Sequence, residues 1–151
     1  MLITFGKHCG KTVEYIVLLY PDYPFWIDDL KEETEITGKL LEVKLHIDFL
    51  IRKFDAKPIV ETCCKKHFPP TPATHAISFY NSKEIVWLCE NCFLARPGKV
   101  YDVSTYRGVK SHVDRFFRGR TSELKEILRK VAVGKGLPAR VGEKACADFF
   151  I

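Results

Sequence analysis

Two short ligand motifs in the middle of the chain constrain its fold more than any other feature. Cys89-Glu90-Asn91-Cys92 carries two thiols separated by two residues, and Cys64-Lys65-Lys66-His67 repeats that spacing with a thiol and an imidazole. Ligands at this spacing lie on one side of a tight turn, so each pair can grip one side of a tetrahedral ion. Residues 68–88 separate the pairs, a 21-residue insert with room for a hairpin. This is the spacing of a zinc ribbon, in which two knuckles close on one structural Zn2+ and leave no open coordination position. The expected ligands are Cys64, His67, Cys89 and Cys92, with Cys63 an alternative to Cys64 and His75 a rival fourth ligand. Cys9 and Cys146 stand alone and read as small hydrophobes or incidental thiols.

Clustered cysteines of this kind point to metal rather than to a disulfide framework. The apolar run Tyr15 to Tyr20 ends at Pro21, far short of the roughly 20 residues a membrane span needs. The N-terminus MLITFGKHCGK lacks the ordered basic, apolar and cleavage regions of a signal peptide. These features predict a cytoplasmic protein with no membrane partner.

Hydrophobic periodicity predicts an α+β chain in three parts. In residues 1–58, a strand at Leu2–Phe5 meets a turn bracketed by Gly6 and Gly10 and a second short strand. Thr12 is positioned to cap a helix carrying Val13, Ile16, Val17 and Tyr20, and Asp22 to cap a second one after Pro21. A long amphipathic helix over residues 35–54 follows, with Leu40, Val43, Ile47, Leu50, Ile51 and Phe54 on its apolar stripe, widened by Leu41 and Leu45. In residues 59–98, Phe68-Pro69-Pro70-Thr71-Pro72 is a loop, strands at 75–80 and 85–88 form the ribbon hairpin, and the chain turns helical again after Arg96-Pro97-Gly98. Residues 99–151 read as helices near 104–118, 121–133 and 140–150, with Thr121 as a cap for the second.

The opening run Phe5-Gly6-Lys7-His8-Cys9-Gly10-Lys11-Thr12, continued by Pro21-Asp22-Tyr23-Pro24-Phe25-Trp26-Ile27, resembles the FGK-x-x-GKT module found at the C-terminus of exodeoxyribonuclease X-like proteins and in small stand-alone bacterial proteins. The resemblance covers about the first 30 residues. Some members of that group continue into a cysteine-rich ribbon with a Pro-Ala-Thr step, and Pro72-Ala73-Thr74 lies between the two ligand pairs here. The nuclease half of such proteins depends on acidic ligands beginning with an Asp-x-Glu pair. This sequence contains no Asp-x-Glu, so the resemblance implies the accessory module and not nuclease activity.

Gly10-Lys11-Thr12 also ends like a phosphate loop, but Phe5 occupies the position of that loop's first glycine. No Ser/His/Asp grouping, His-Glu-x-x-His motif or carboxylate cluster of a metal enzyme is apparent. Asp28-Asp29 and Glu32-Glu33 read as solvated loop acids. The sequence therefore predicts no enzyme and no small-molecule substrate.

Charge is divided along the chain. Residues 1–55 carry 7 Lys/Arg against 10 Asp/Glu, whereas residues 96–151 carry 13 against 6. A basic end of this kind faces a polyanion or an acidic protein surface. The candidate nucleic-acid contacts are Arg107, Lys110, Arg115, Arg118, Arg120, Lys125, Arg129 and Lys130, with Lys7 and Lys11 on the glycine turn as a second patch. The resulting expectation is a zinc-binding, nucleic-acid-binding accessory subunit of a DNA- or RNA-processing complex. Its alternative is a zinc-stabilised protein-interaction module.

Overall fold

The protein is described by a computed structural model covering residues 1–31, 34–96 and 101–151. Pro97 and Gly98, before the expected C-terminal helices, and the acids Glu32 and Glu33 lie outside the described residues. Among the described residues the chain forms seven helices and one three-stranded antiparallel sheet, an α+β architecture.

The N-terminal strands contract to a single bridge, Leu2 to Thr12, closed by Ile3 N–H donating to the Lys11 carbonyl at 2.9 Å. Gly6 and Gly10 turn the chain there at φ of 70° and 86°, a region open to residues without a Cβ. The Thr12 hydroxyl accepts the Tyr15 N–H at 3.3 Å and starts α1 (Val13–Leu19). Pro21 has no N–H, so the Val17 carbonyl loses its normal helical donor. The buried Tyr106 hydroxyl donates to that oxygen instead, at 2.6 Å.

Asp22 opens α2 (Asp22–Asp28) from inside the helix rather than capping it, because Pro21 already has helical dihedrals at the N-cap. The long helix α3 (Gly38–Ala56) begins later than expected. Glu35 is held in the preceding turn, where its carboxylate accepts the Lys31 N–H at 2.6 Å. Val43, Ile47, Leu50, Ile51 and Phe54 face the core, but Leu41, Leu45 and Phe49 form an exposed stripe at i, i+4 and i+8.

The hairpin strands are β1 (His75–Ser78) and β2 (Val86–Leu88), paired so that Ala76 lies opposite Trp87. Helix α4 (Glu90–Leu94) follows at once. The two-residue β3 (Tyr101–Asp102), which periodicity did not predict, adds to the other edge of β1. The chain ends with α5 (Tyr106–Phe116), α6 (Thr121–Gly134) and α7 (Glu143–Phe149). Arg120 holds the N-cap position of α6, and Thr121 is already helical and does not cap it.

Helix α1 touches α2, α3, α6 and α7. Its sequence is apolar nearly all round, so partners on one side alone would leave oily surface in water. Residues 1–58 and 99–151 consequently contribute to one continuous core. Three lysines, of which Lys135 is buried and Lys53 and Lys57 lie at the edge, close helix ends around it. Lys135 Nζ donates to the Phe54 carbonyl at 2.7 Å, Lys53 to Phe150 at 2.7 Å and Lys57 to Phe149 at 2.6 Å. The Phe149 and Phe150 carbonyls are ones that a helix C-terminus leaves without a backbone donor, while the Phe54 carbonyl also accepts the Lys57 N–H at 3.2 Å.

Period-two alternation on β1 separates this core from the ribbon. Ala76 belongs to the main core, whereas Ile77 joins Leu88, Cys63 and Cys89 in a second small cluster. Trp87 docks the ribbon onto α6 over Gly134, where a Cβ would lie 2.1 Å from the indole Cη2. Val60 N–H to the Gly134 carbonyl, at 2.8 Å, ties the incoming chain to the same point.

Candidate functional site

The first knuckle is an extended segment. Thr62 bridges Pro72, and the Cys63 N–H donates to the Thr71 carbonyl at 2.8 Å. The Cys64 N–H reaches the other way, to the Trp87 carbonyl at 2.7 Å. The second knuckle is a helix start: Cys89 is the N-cap of α4, and Cys92 lies in its first turn. These elements bring Cys63, His67, Cys89 and Cys92 together, with all four ligand atoms within 4.8 Å of one another. His67 Nε2 lies 3.3 Å from Cys92 Sγ and 3.6 Å from Cys89 Sγ.

Bonds of about 2.3 Å to sulfur and about 2.0 Å to nitrogen at tetrahedral angles set ligand atoms roughly 3.6–3.8 Å apart. The cluster matches that scale, so these residues can hold a metal ion. Cys63, and not Cys64, completes the set; the Cys64 side chain is exposed outside it. Successive side chains on extended backbone point to opposite sides, and pairing with residues 71–73 turns Cys63 inward. Linear spacing does not encode that long-range pairing. His75 also lies outside the cluster, stacked on Phe93 at 4.0 Å between ring centroids.

Two of the three thiols depart from the ordinary value, in opposite directions. Burial pushes Cys63 up, but N–H donors from the Cys89 and Lys65 backbone and contacts with His67 and Cys89 outweigh it, bringing the thiol down to about 6. Burial and the neighbouring Cys89 and Cys63 push Cys92 up to about 11. A thiolate ready to form at Cys63 beside a protonated Cys92 suits a site from which a cation displaces protons. Cys146, by contrast, is pushed up to about 11 by burial in the main core and is an inert hydrophobe there. Cys9 is exposed on the N-terminal turn.

The expected cationic residues do not form one continuous patch. Arg107 pairs with Asp28 at 3.2 Å, Lys110 with Asp114, and Lys130 with Glu84 at 3.7 Å. Arg115 lies over the Tyr101 ring, Arg120 bonds the Phe117 carbonyl at 3.2 Å, and Arg129 bonds the Ala139 carbonyl at 2.7 Å. Arg118 is exposed at a positive φ.

A different grouping emerges across the α1–α6 contact. Lys11 and Lys125 both lie over the Tyr20 ring, at 4.2 Å and 4.7 Å from its centroid. Among the described residues neither has a carboxylate within salt-bridge distance. Lys7 completes the group, 3.8 Å from Asp22. His8 is buried beneath them, against Tyr20 and Tyr23, with neither ring nitrogen hydrogen-bonded. Burial, then Lys7 and Lys11, hold its pKa below the ordinary value, so the ring is neutral at physiological pH.

Ser78 and His112 approach at 3.1 Å but are both buried, with Ser78 Oγ also donating to the Ser82 carbonyl. They tie the sheet to α5. No helix among the described residues is long and apolar enough to cross a membrane. Compared with known proteins, the chain matches no family model, no curated protein and no solved structure.

Proposed function

We propose that the chain is a small zinc-stabilised nucleic-acid-binding protein, acting as a non-catalytic accessory subunit of a DNA- or RNA-processing complex. The three-thiol, one-imidazole donor set carries the zinc part of this reading. Soft ligands in tetrahedral array suit Zn2+, and four protein ligands leave no position for a substrate. The ion's role is then to hold residues 62–92 in shape against α6. The resemblance of the N-terminal run to the exodeoxyribonuclease X-like accessory module supports the same assignment.

The nucleic-acid part rests on Lys11 and Lys125 converging on Tyr20 from two distant segments, with Lys7 beside the neighbouring His8. Folding brings like charges together there, and among the described residues the carboxylate within ion-pair distance is Asp22, beside Lys7. An anion bound across them relieves that repulsion, and a phosphodiester backbone supplies anions at regular spacing. The test is fluorescence anisotropy with labelled single-stranded and duplex DNA and RNA at low and physiological salt. Lys7→Ala/Lys11→Ala/Lys125→Ala should weaken binding and flatten the salt slope by roughly two to three units, about one per phosphate contact. Arg115→Ala/Arg118→Ala/Arg120→Ala measures what the α5–α6 junction adds. Absence of binding to every probe at low salt removes the nucleic-acid reading.

A second reading has its own observation. Leu41, Leu45 and Phe49 leave an apolar stripe on the outer face of α3, the kind of surface that docks a partner helix. If the nucleic-acid test fails, a zinc-stabilised protein-interaction module becomes the leading account.

A further inference from the structure

The lysine face adjoins a groove of different chemistry. The N-terminal turn and α2 enclose a cleft of about 640 Å³ lined by Phe5, Lys7, Asp22, Tyr23, Trp26 and Leu40, within the roughly 300–1,000 Å³ range of ligand-holding clefts. Trp26 is the anomaly. Tyr23, Phe25 and Ile27 of the same helix are buried, while the Trp26 indole is 50% exposed. It is not loosely arranged, because Tyr23 stands against it at 5.5 Å between ring centroids. A large, flat, supported aromatic surface open to water offers a stacking platform.

Two unsatisfied polar groups accompany that platform. Asp22 Oδ1 is buried without a hydrogen-bond partner, and so are both ring nitrogens of His8, a residue 4% exposed. The aromatic row runs on from Trp26 to Tyr23, then to His8 at 4.9 Å and to Tyr20 at 5.1 Å, where Lys11 and Lys125 sit. Lys7 lines the groove and also belongs to the cation group. One surface therefore combines a π-face and three ammonium groups.

We infer that this groove takes an unpaired base of a single-stranded nucleic acid, stacked on Trp26, while the adjoining phosphates lie on Lys7, Lys11 and Lys125. This rests on the nucleic-acid reading above and specifies its ligand. A duplex keeps its base faces stacked on one another, so an aromatic platform gains nothing from it beyond phosphate contact. A single strand presents base faces and phosphates together, and stacking tolerates any base.

Trp26 and Trp87 are the chain's two tryptophans, which makes intrinsic fluorescence a direct readout. Titration of the full chain with unlabelled oligothymidylate should quench emission, and Trp26→Phe should remove most of the quenched component. Trp26→Ala should weaken oligothymidylate binding by about five- to hundred-fold and leave duplex binding unchanged. Trp26→Tyr, which keeps a stacking face, should recover most of the loss. If Trp26→Ala folds poorly by circular dichroism, the Trp26→Tyr variant and wild-type quenching decide the question. Binding of single strands without quenching, or with full affinity in Trp26→Ala, overturns the groove assignment and leaves the lysine face standing. Failure of wild-type protein to bind either strand form at low salt overturns both.

Discussion

Replacing Gly134 by alanine tests how the ribbon is attached to the helical core. Gly134 is the last residue of α6, and a Cβ built there would meet Trp87 Cη2, Cζ2 and Cζ3 at 2.1, 2.4 and 2.8 Å. Real Cβ contacts require well over 3 Å, so the indole must move by more than an ångström. The indole is rigid, and its backbone is fixed on both sides: Trp87 pairs with Ala76, and its carbonyl accepts the Cys64 N–H. Overpacking of this kind costs about 1–3 kcal/mol. Alanine recovers up to about 1 kcal/mol of helix propensity, and less at a helix end. The net expectation is a loss of about 1–2 kcal/mol, seen as a fall in Tm of roughly 2–8 °C for a chain of this size. Thermal unfolding followed by circular dichroism, with zinc supplied, measures it. Repeating Gly134→Ala in a Trp87→Leu background should abolish the penalty, because the clash has no second partner. A Gly134→Ala single mutant at least as stable as wild type would refute the docking argument.

Tyr106→Phe should destabilise the fold by about 1–3 kcal/mol in chemical denaturation, since it leaves the Val17 carbonyl buried with neither a helical nor a hydroxyl donor. Lys135 carries a pH signature. Burial pulls its pKa from 10.5 to about 8, so between about pH 8 and 10.5 the unfolded chain binds more protons than the folded one. Stability attributable to this group therefore rises with pH through that window and is flat below it. Lys135→Met should show a shallower rise than wild type across pH 8 to 10.5 in urea denaturation, and an equal slope would contradict the assignment.

Local signals were legible in the sequence where local chemistry decides the outcome. The Thr12 cap, the proline stop after α1, the hairpin strands and the three C-terminal helices all arise from residues within a turn or two of one another. The misplaced features depend on distant partners. Leu41 and Leu45 fit an apolar stripe by periodicity, but the partners that cover α3 leave that side open. Periodicity assigns residues 1–58 and 99–151 to separate parts, yet α1 needs cover on several sides and takes it from both. At the metal site, His67, Cys89 and Cys92 were identified by spacing, while the choice between Cys63 and Cys64 depends on pairing with residues 71–73. The basic residues show the same limit. Their number was evident, but the convergence of Lys125 with Lys7 and Lys11 exists only after α6 packs on α1.

The metal centre is the central claim, and zinc content across two neighbouring serine variants tests it most directly. Wild type, Cys63→Ser and Cys64→Ser are purified without added metal and analysed by elemental mass spectrometry against protein concentration. Wild type and Cys64→Ser should each carry close to one equivalent of zinc, while Cys63→Ser should lose most of it and become sensitive to proteolysis within residues 62–92. Retention of zinc by Cys63→Ser with its loss from Cys64→Ser, or a wild-type protein that binds no zinc, would contradict the account.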